Sequence, residues 1–248
     1  MLNAIKRWIS GNPPAPDWAD VAQWAQSKGY GFKRARDEEG FVLDASFADR
    51  PFRLEWGPPQ RNYITTHELR LRMELQLPSG LQMLIMTRSL LEMLERETFE
   101  RYTESNQTLI DVSTPEEMRW LAMFPKVNLD LPRQVRANFA AVAADPAAAG
   151  QWVAGDLAHK LIAACDGLLR EQPPFVLMTL RGRVYLRLKL DAPEPAVMEQ
   201  AVSVFEAAAH GALRAAGALH EGHSHDWPTT SSTAWQTDIL PEDPKDRT

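Results

Sequence analysis

The sequence predicts an α+β fold: an antiparallel strand meander with flanking helices, then a helical segment and a β-hairpin followed by a long C-terminal helix. Apolar and charged residues alternate in HELRLRMELQL, residues 67–77, and again in RVYLRLKL, residues 183–190. A period of two is typical of half-buried strands. Helical spacing occurs in separate segments, and this segregation argues against a doubly wound parallel sheet.

The segment from Tyr30 to Arg88 carries most of the strand signals. In PFRLEW and HELRLRMELQL one face is apolar and the other is charged, as in an antiparallel strand with one solvated face. Pro78, Ser79 and Gly80 predict a turn that brings LQMLIMTR back beside the preceding strand. We expect four or five strands here, arranged as a meander.

Two helices are predicted ahead of the strands. The apolar residues of MLNAIKRWI, residues 1–9, recur at helical spacing and favour a helix that covers part of the core. A membrane-surface anchor with Trp8 at the interface is the weaker alternative, because the segment has only two cations. The next helix is expected to begin at Asp17, whose carboxylate can cap it, and to end at Gly29.

Two capping signals mark the starts of later helices. Ser89 and Glu92 have the spacing of a capping box, which predicts a helix over residues 89–100. Thr114 and Glu117 have the same spacing and predict the start of another helix. This interpretation gives Glu117 a local role at a helix N-terminus and none in acid–base chemistry.

The region from residue 131 to residue 169 has a helical pattern. Val135, Phe139 and Val142 recur at helical spacing and predict a stripe that faces the core. The stretch DPAAAG, residues 145–150, is small and uncommitted, so we expect a loop or a weak helical turn there.

The last elements are a hairpin and a helix. PFVLMTL and RVYLRLKL flank Arg181 and Gly182, a two-residue connection that predicts a β-hairpin. Apolar residues then recur at helical spacing from Pro195, and Gly217 is the expected end of this helix.

These signals divide the chain into four segments. They are the N-terminal helices (1–29), a β-rich half with helix 89–100 (30–112), a helical segment with the hairpin and last helix (113–219), and a polar tail (220–248) that we expect to be flexible. Both a single sheet and two small domains are compatible with the two strand regions.

The composition excludes several classes of function. The 248 residues carry a formal net charge of −6, which argues against general nucleic-acid binding. The single cysteine, Cys165, cannot form an internal disulfide, so we expect a cytoplasmic protein. The sequence contains no GxSxG, P-loop or HExxH motif, and we therefore expect no cofactor and lean against an enzyme.

A cluster of potential metal ligands lies near the C-terminus, in HEGHSHDW. It consists of His220, His223, His225 and Asp226, whose side chains suit zinc, nickel or copper. No second Cys or His cluster completes a structural site, and a mobile segment loses conformational entropy when it binds metal. A plain polar tail is the favoured interpretation, and metal binding is the alternative.

If the protein is an enzyme, His67 is the residue near which its active-site pocket is expected. It has the same strand parity as Leu69 and is expected at the inner edge of its strand. A hydrogen-bonded histidine at the edge of the core is favoured over a catalytic base. An enzyme of unknown reaction with a pocket near His67 is the alternative.

The leading hypothesis is a non-enzymatic interaction or adaptor protein that binds a protein partner of unknown identity. Arginine supports bidentate contacts and is enriched at protein interfaces, and the strand region carries four arginines that we assign to the interface. Cross-strand ion pairs with Glu55, Glu68 and Glu74, which alternate with them, are the alternative account. In the polar tail, AWQTDIL has the composition of a short docking motif, and packing back onto the protein's own surface is the alternative. The predicted partner-binding residues are Arg53, Arg70, Arg72, Arg88, Trp235 and Ile239.

Overall fold

Nine strands form one antiparallel sheet in the computed structural model, which describes residues 18–35, 39–104, 114–129 and 131–223. The predicted α+β class is therefore confirmed, and both strand regions contribute to the same sheet. The strands are β1 (Gly31–Arg34), β2 (Phe41–Phe47), β3 (Arg50–Gly57), β4 (Glu68–Glu74), β5 (Met83–Thr87), β6 (Lys126–Val127), β7 (Phe139–Ala143), β8 (Phe175–Leu180) and β9 (Arg183–Lys189).

Helices lie on both faces of this sheet. Within the described ranges they are α1 (Ala19–Ser27), α2 (Arg88–Glu104), α3 (Glu116–Met123), α4 (Arg133–Asn138), α5 (Pro146–Val153), α6 (Asp156–Cys165) and α7 (Pro195–His223). None of the helices in the described part of the chain is both long enough and apolar enough to cross a bilayer.

The C-terminal hairpin lies in the middle of the sheet. The strand order is β1-β2-β3-β4-β9-β8-β5-β7-β6, so β9 pairs with β4 and β8 pairs with β5. The prediction that the turn at Pro78–Gly80 returns β5 to the side of β4 is therefore wrong. Local alternation defines a strand and its faces, but it does not define the neighbour of that strand.

The larger core lies between one sheet face and helices α1, α5, α6 and α7. Trp152 of α5 and Phe205 of α7 are fully buried there, together with Leu71 of β4 and Leu186 of β9. The Nε1 of Trp152 donates a hydrogen bond of 2.9 Å to the carbonyl of Ala208, which fixes α5 against α7. This cluster removes most of the apolar surface from water and stabilises the whole sheet.

A smaller core lies on the opposite face, where α2 and α3 pack on β5 and β7. Leu90 and Leu94 of α2 and Trp120 of α3 are buried in it, together with Tyr63 and Ile64 from the loop that joins β3 to β4. The charged residues of β3, β4 and β9 lie on the same side of the sheet, beyond this cluster.

Part of the predicted helical region is a strand. Phe139–Ala143 forms β7, with every residue buried, so the helical stripe through Val135, Phe139 and Val142 was wrong. A short apolar run fits a buried strand as well as a helix, and here the pairing with β5 decides. DPAAAG starts α5, because Asp145 accepts hydrogen bonds from the backbone N–H groups of Ala147 and Ala148 at 2.9 and 3.3 Å.

Helix ends differ from the prediction in three places. The last helix does not stop at Gly217 but continues to His223. Ser89 does not cap α2, which already starts at Arg88; its hydroxyl donates to the carbonyl of Gln172 instead. Helix α3 begins after Pro115 without a side-chain cap, and the predicted role of Thr114 is not observed. The predicted end of the first described helix at Gly29 is confirmed, with φ of 75°.

The predicted hairpin is confirmed. Leu180 and Arg183 face each other across a two-residue turn, and both turn residues, Arg181 and Gly182, have positive φ angles of 50° and 79°. Positive φ at both central positions gives the twist that antiparallel strands require. The carbonyl of Gly182 accepts hydrogen bonds from the N–H groups of Leu75 and Leu77, which attaches the turn to the end of β4.

Candidate functional site

The structure brings three of the predicted arginines together on the charged side of the sheet. Arg53 of β3 and Arg70 and Arg72 of β4 share this surface with Arg187 of β9. We call these four residues the arginine face. Arg187 was not among the predicted residues, although its alternation with buried Leu186 and Leu188 indicates its direction.

Like charges stand opposite one another on the arginine face. In the sheet register Arg53 is the direct partner of Arg72, and Arg70 is the direct partner of Arg187. Directly opposed like charges destabilise an antiparallel pair, so this arrangement requires compensation by anions.

Glu55 compensates the Arg53–Arg72 pair. Its Oε1 lies 2.6 Å from Nε of Arg53 and 3.9 Å from Nη2 of Arg72, and its Oε2 lies 3.3 Å from Nη2 of Arg70. A single carboxylate therefore serves all three guanidinium groups. Arg72 has the longest of these contacts and its side chain is 57% exposed, which leaves it the most available for an external anion.

Glu68 compensates the positive charges of the Arg70–Arg187 pair. Its carboxylate is fully buried and accepts hydrogen bonds from Arg187 Nη1, from Arg70 Nη1 at 3.3 Å and from the backbone N–H of Gln60 at 2.7 Å. Buried charges are retained where they are paired and hydrogen-bonded, and Glu68 meets both conditions. This pair belongs to the scaffold that holds Arg70 and Arg187 in position.

A second buried carboxylate, Glu117, anchors the loop between β3 and β4. It accepts hydrogen bonds from Arg61 Nε at 2.6 Å and from the Tyr63 hydroxyl at 2.5 Å. Burial alone would raise the pKa of Glu117, but the hydrogen bonds and charge of Arg61 outweigh it and hold that pKa below its usual range. Burial and the neighbouring Glu117 carboxylate raise the pKa of Tyr63 well above its ordinary value. We call these three residues the Glu117 cluster.

The Glu117 cluster was missed in the sequence because Glu117 was assigned to a helix cap. A signal was present: Glu117 precedes Trp120 by three positions, so both residues lie on the inward face of α3. Arg61 and Tyr63 lie in a loop without periodicity, and no sequence pattern connects them to Glu117.

A small cleft opens on the arginine face. It has a volume of about 100 Å³ and is lined by the four arginines together with Glu55 and Tyr185. This cleft is too small for an ordinary ligand, since small-molecule pockets enclose roughly 300–1,000 Å³. Arg53 and Arg72 also line a larger depression of about 730 Å³ beside it, together with Asp44, Glu74 and Arg183, but this depression is shallow and open to solvent. Flat contact with another macromolecule fits the arginine face better than enclosure of a small molecule.

Arg88 does not lie on the arginine face. It is the first residue of α2, and its Nε donates a hydrogen bond of 2.7 Å to the carbonyl of Arg136. Together with Lys126, Arg133 and Arg136 it lines a separate groove with a volume of about 460 Å³. The prediction that Arg88 shares one surface with the strand arginines was therefore wrong.

His67 stacks on a tryptophan. Its ring lies 4.5 Å from the ring of Trp56 with an interplanar angle of 9°, and the Nε1 of Trp56 donates to the carbonyl of Leu190 at 2.8 Å. The hydroxyl of the neighbouring Thr66 donates to Asp191. His67 thus lies at the edge of the larger core, where the strand parity placed it.

The C-terminal candidates lie at or beyond the end of the described chain. The backbones of His220 and His223 continue α7, whereas His225, Asp226, Trp235 and Ile239 lie outside the described residues. Elsewhere in the described ranges, no group of three or more His, Cys, Asp or Glu side chains is arranged to hold a metal ion.

Comparisons with known proteins show no family for this chain. No protein-family model matches the chain, and no curated protein matches it. Among solved structures, the chain is similar to the crystal structure of the mycobacterial trehalose monomycolate transport factor A, TtfA, with a TM-score of 0.47 and 7% sequence identity. The match covers 79% of this chain and 94% of that chain. Similarity at this level carries no conclusion about function.

Proposed function

We propose that the protein is a non-enzymatic interaction or adaptor protein whose arginine face binds an acidic surface of a protein partner. The observation that supports this most directly is the state of Arg72. It stands opposite Arg53, its one ion pair within the described residues is the 3.9 Å contact to a carboxylate shared with two other arginines, and its side chain is 57% exposed.

An acidic partner would supply the negative charge that Arg53 and Arg72 lack on the sheet surface. A carboxylate placed over Arg53 and Arg72 relieves their mutual repulsion and accepts charge-assisted hydrogen bonds from planar guanidinium groups. The buried Glu68 accepts hydrogen bonds from Arg70 and Arg187, which orients these two side chains before a partner docks and lowers the entropy cost of binding.

The C-terminal tail is the second element of this proposal. It carries Trp235 and Ile239 in AWQTDIL, a short apolar group within a polar segment. A tail of this composition adds a second contact, and two linked contacts raise the overall affinity through effective concentration.

The test is an affinity capture from the organism that encodes the chain, read by mass spectrometry. Full-length protein is compared with Arg72→Gln and with Arg96→Gln, a matched control on the exposed surface of α2. A fourth bait ends at His223, because α7 continues to that residue and an earlier truncation would cut the helix.

A stoichiometric partner that is retained by Arg96→Gln and depleted by Arg72→Gln supports the arginine face as the interface. Loss of the same partner from the bait that ends at His223 adds the tail. The proposal fails if Arg72→Gln and Arg96→Gln recover the same proteins in the same amounts as the unmodified chain.

A further inference from the structure

The groove that contains Arg88 is a second charged feature, separate from the arginine face. It lies where α2, β6 and α4 meet, and its volume is about 460 Å³. Its cationic residues are Arg88, Lys126, Arg133 and Arg136. We call it the basic groove.

The groove exists because β6 is short. Lys126 pairs with Val142 and Val127 pairs with Ala141, after which β6 ends and the chain leaves β7. Asn128 and Leu129 then form one wall, and Phe139 and Ala140 of β7 remain on the floor. An apolar floor with a cationic rim follows from this separation of two strands.

The charges of the rim are all of one sign. The described residues that line the groove include no carboxylate. Lys126 forms an ion pair of 2.5 Å with Glu95, so one of the four cations is already compensated. Arg88 uses its Nε for the carbonyl of Arg136, and neither Arg133 nor Arg136 forms a side-chain ion pair within the described ranges.

We propose that the basic groove binds a small organic phosphate, a phosphate monoester carried on an apolar group. Three guanidinium groups beyond the Lys126–Glu95 pair carry more than enough positive charge to neutralise a phosphate dianion, and their planar donors match its oxygens. The apolar group lies on the floor formed by Leu91, Val127 and Phe139.

The size of the groove favours a small molecule over a macromolecule. Its volume of about 460 Å³ falls within the roughly 300–1,000 Å³ of small-ligand pockets. The chain carries a net charge of −6, so a local accumulation of arginines that form no ion pair among the described residues runs against the overall charge and favours an anionic ligand.

The experiment is isothermal titration calorimetry of the full chain with 1-naphthyl phosphate. We expect binding with one site per chain. The double variant Arg133→Gln/Arg136→Gln is expected to weaken this binding by about a hundredfold or more, because it removes two of the three guanidinium groups that donate to the phosphate. Arg96→Gln, on the exposed surface of α2 and outside the groove lining, serves as the control and keeps the affinity unchanged.

Three further titrants separate the alternatives. The proposal requires 1-naphthol, which lacks the phosphate, to bind much more weakly. If inorganic phosphate binds as tightly as 1-naphthyl phosphate, the apolar group contributes nothing to binding. That result would overturn the proposal that the ligand is an organic phosphate. If 1-naphthyl phosphate does not bind and hexaglutamate does, with an affinity that Arg133→Gln/Arg136→Gln lowers, the groove is a peptide-binding surface and the proposal is overturned.

Unfolding curves in urea confirm that each variant is folded before it is titrated. Absence of heat with 1-naphthyl phosphate, or equal affinity in the double variant and the control, also overturns the proposal. The outcome is independent of the arginine face, because Arg72 and the groove residues lie on different strands and helices.

Discussion

Arg61 and Glu117 form an ion pair of 2.6 Å between Nε and Oε1 although 56 positions separate them in the chain. The carboxylate is fully buried and the Arg61 side chain is 22% exposed. This pair joins the loop after β3 to helix α3, and it therefore connects two segments that the smaller core alone would hold by apolar contact.

We expect Glu117→Gln to lower the free energy of unfolding by about 2 kcal/mol, because it leaves the partly buried Arg61 without its counterion. Urea unfolding measures the change. Glu199→Gln is the control, since Glu199 pairs with Lys28 at the surface, where both side chains are exposed and an ion pair contributes under about 1 kcal/mol. Equal losses in the two variants would contradict a special role for Glu117.

The same pair predicts a pH dependence. The pKa of Glu117 is lower in the folded chain than in the unfolded chain, so its stabilisation is complete above the unfolded-state pKa. It is lost as the pH falls through the folded-state pKa. The difference in unfolding free energy between the unmodified chain and Glu117→Gln should therefore shrink in acid. A difference that stays constant from neutral to acidic pH would refute this.

Arg72→Gln is expected to leave the stability unchanged or to raise it by up to about 0.5 kcal/mol, because it removes the repulsion between Arg72 and Arg53. Thermal and urea unfolding measure this. Unchanged or increased stability of Arg72→Gln would show that Arg72 does not stabilise the fold. Together with loss of the captured partner, this result would support the proposed function. A loss of more than about 1 kcal/mol would show that Arg72 stabilises the sheet instead.

Arg181→Asn is expected to stabilise the chain by about 0.5–1 kcal/mol, because asparagine tolerates the φ of 50° better than arginine does. The side chain of Arg181 is exposed, and its contact with Glu116 is long, at 3.8 Å, so little is lost. Gly182→Ala is the opposite case and should destabilise, since φ there is 79°. Urea midpoints that move in the same direction for both variants would contradict the turn geometry.

Two glycines of α7 should respond to alanine with opposite signs. A Cβ on Gly211 would lie 2.5 Å from the carbonyl oxygen of Trp152, so Gly211→Ala should cost about 2 kcal/mol by forcing α5 and α7 apart. A Cβ on Gly217 meets nothing within 4 Å, and Gly217→Ala should stabilise the helix by about 0.5–1 kcal/mol. Thermal unfolding of both variants gives the signs, and equal signs would contradict the packing.

The faces of the strands were predictable from the sequence, but their neighbours were not. Alternation placed Arg70 and Arg72 on one side of β4 and Leu69 and Leu71 on the other, and the structure agrees. The same alternation in β9 resembles that of β4, yet nothing in either pattern shows that the two strands pair. Pairing depends on contacts more than a hundred residues apart, which have no local signature.

The charged clusters were predictable only in part. Strand parity placed Arg53 on the charged face of its strand and Arg70 and Arg72 on the charged face of theirs, and the pairing of β3 with β4 makes them neighbours. Glu68 and Glu117 were read as a surface charge and a helix cap, whereas both are fully buried. A buried carboxylate is retained only when it is paired, and two of the cations that pair here, Arg187 with Glu68 and Arg61 with Glu117, become neighbours only in the fold.

The position of the β8–β9 hairpin has a consequence for synthesis of the chain on the ribosome. Strands β4 and β5 are translated early, but the strands that fill the gap between them end at Lys189. Until then β4 and β5 each present an unpaired edge, and exposed edges are sites of aberrant association. The sheet can close only after three quarters of the chain has emerged, so nascent chains stalled before the hairpin should be aggregation-prone.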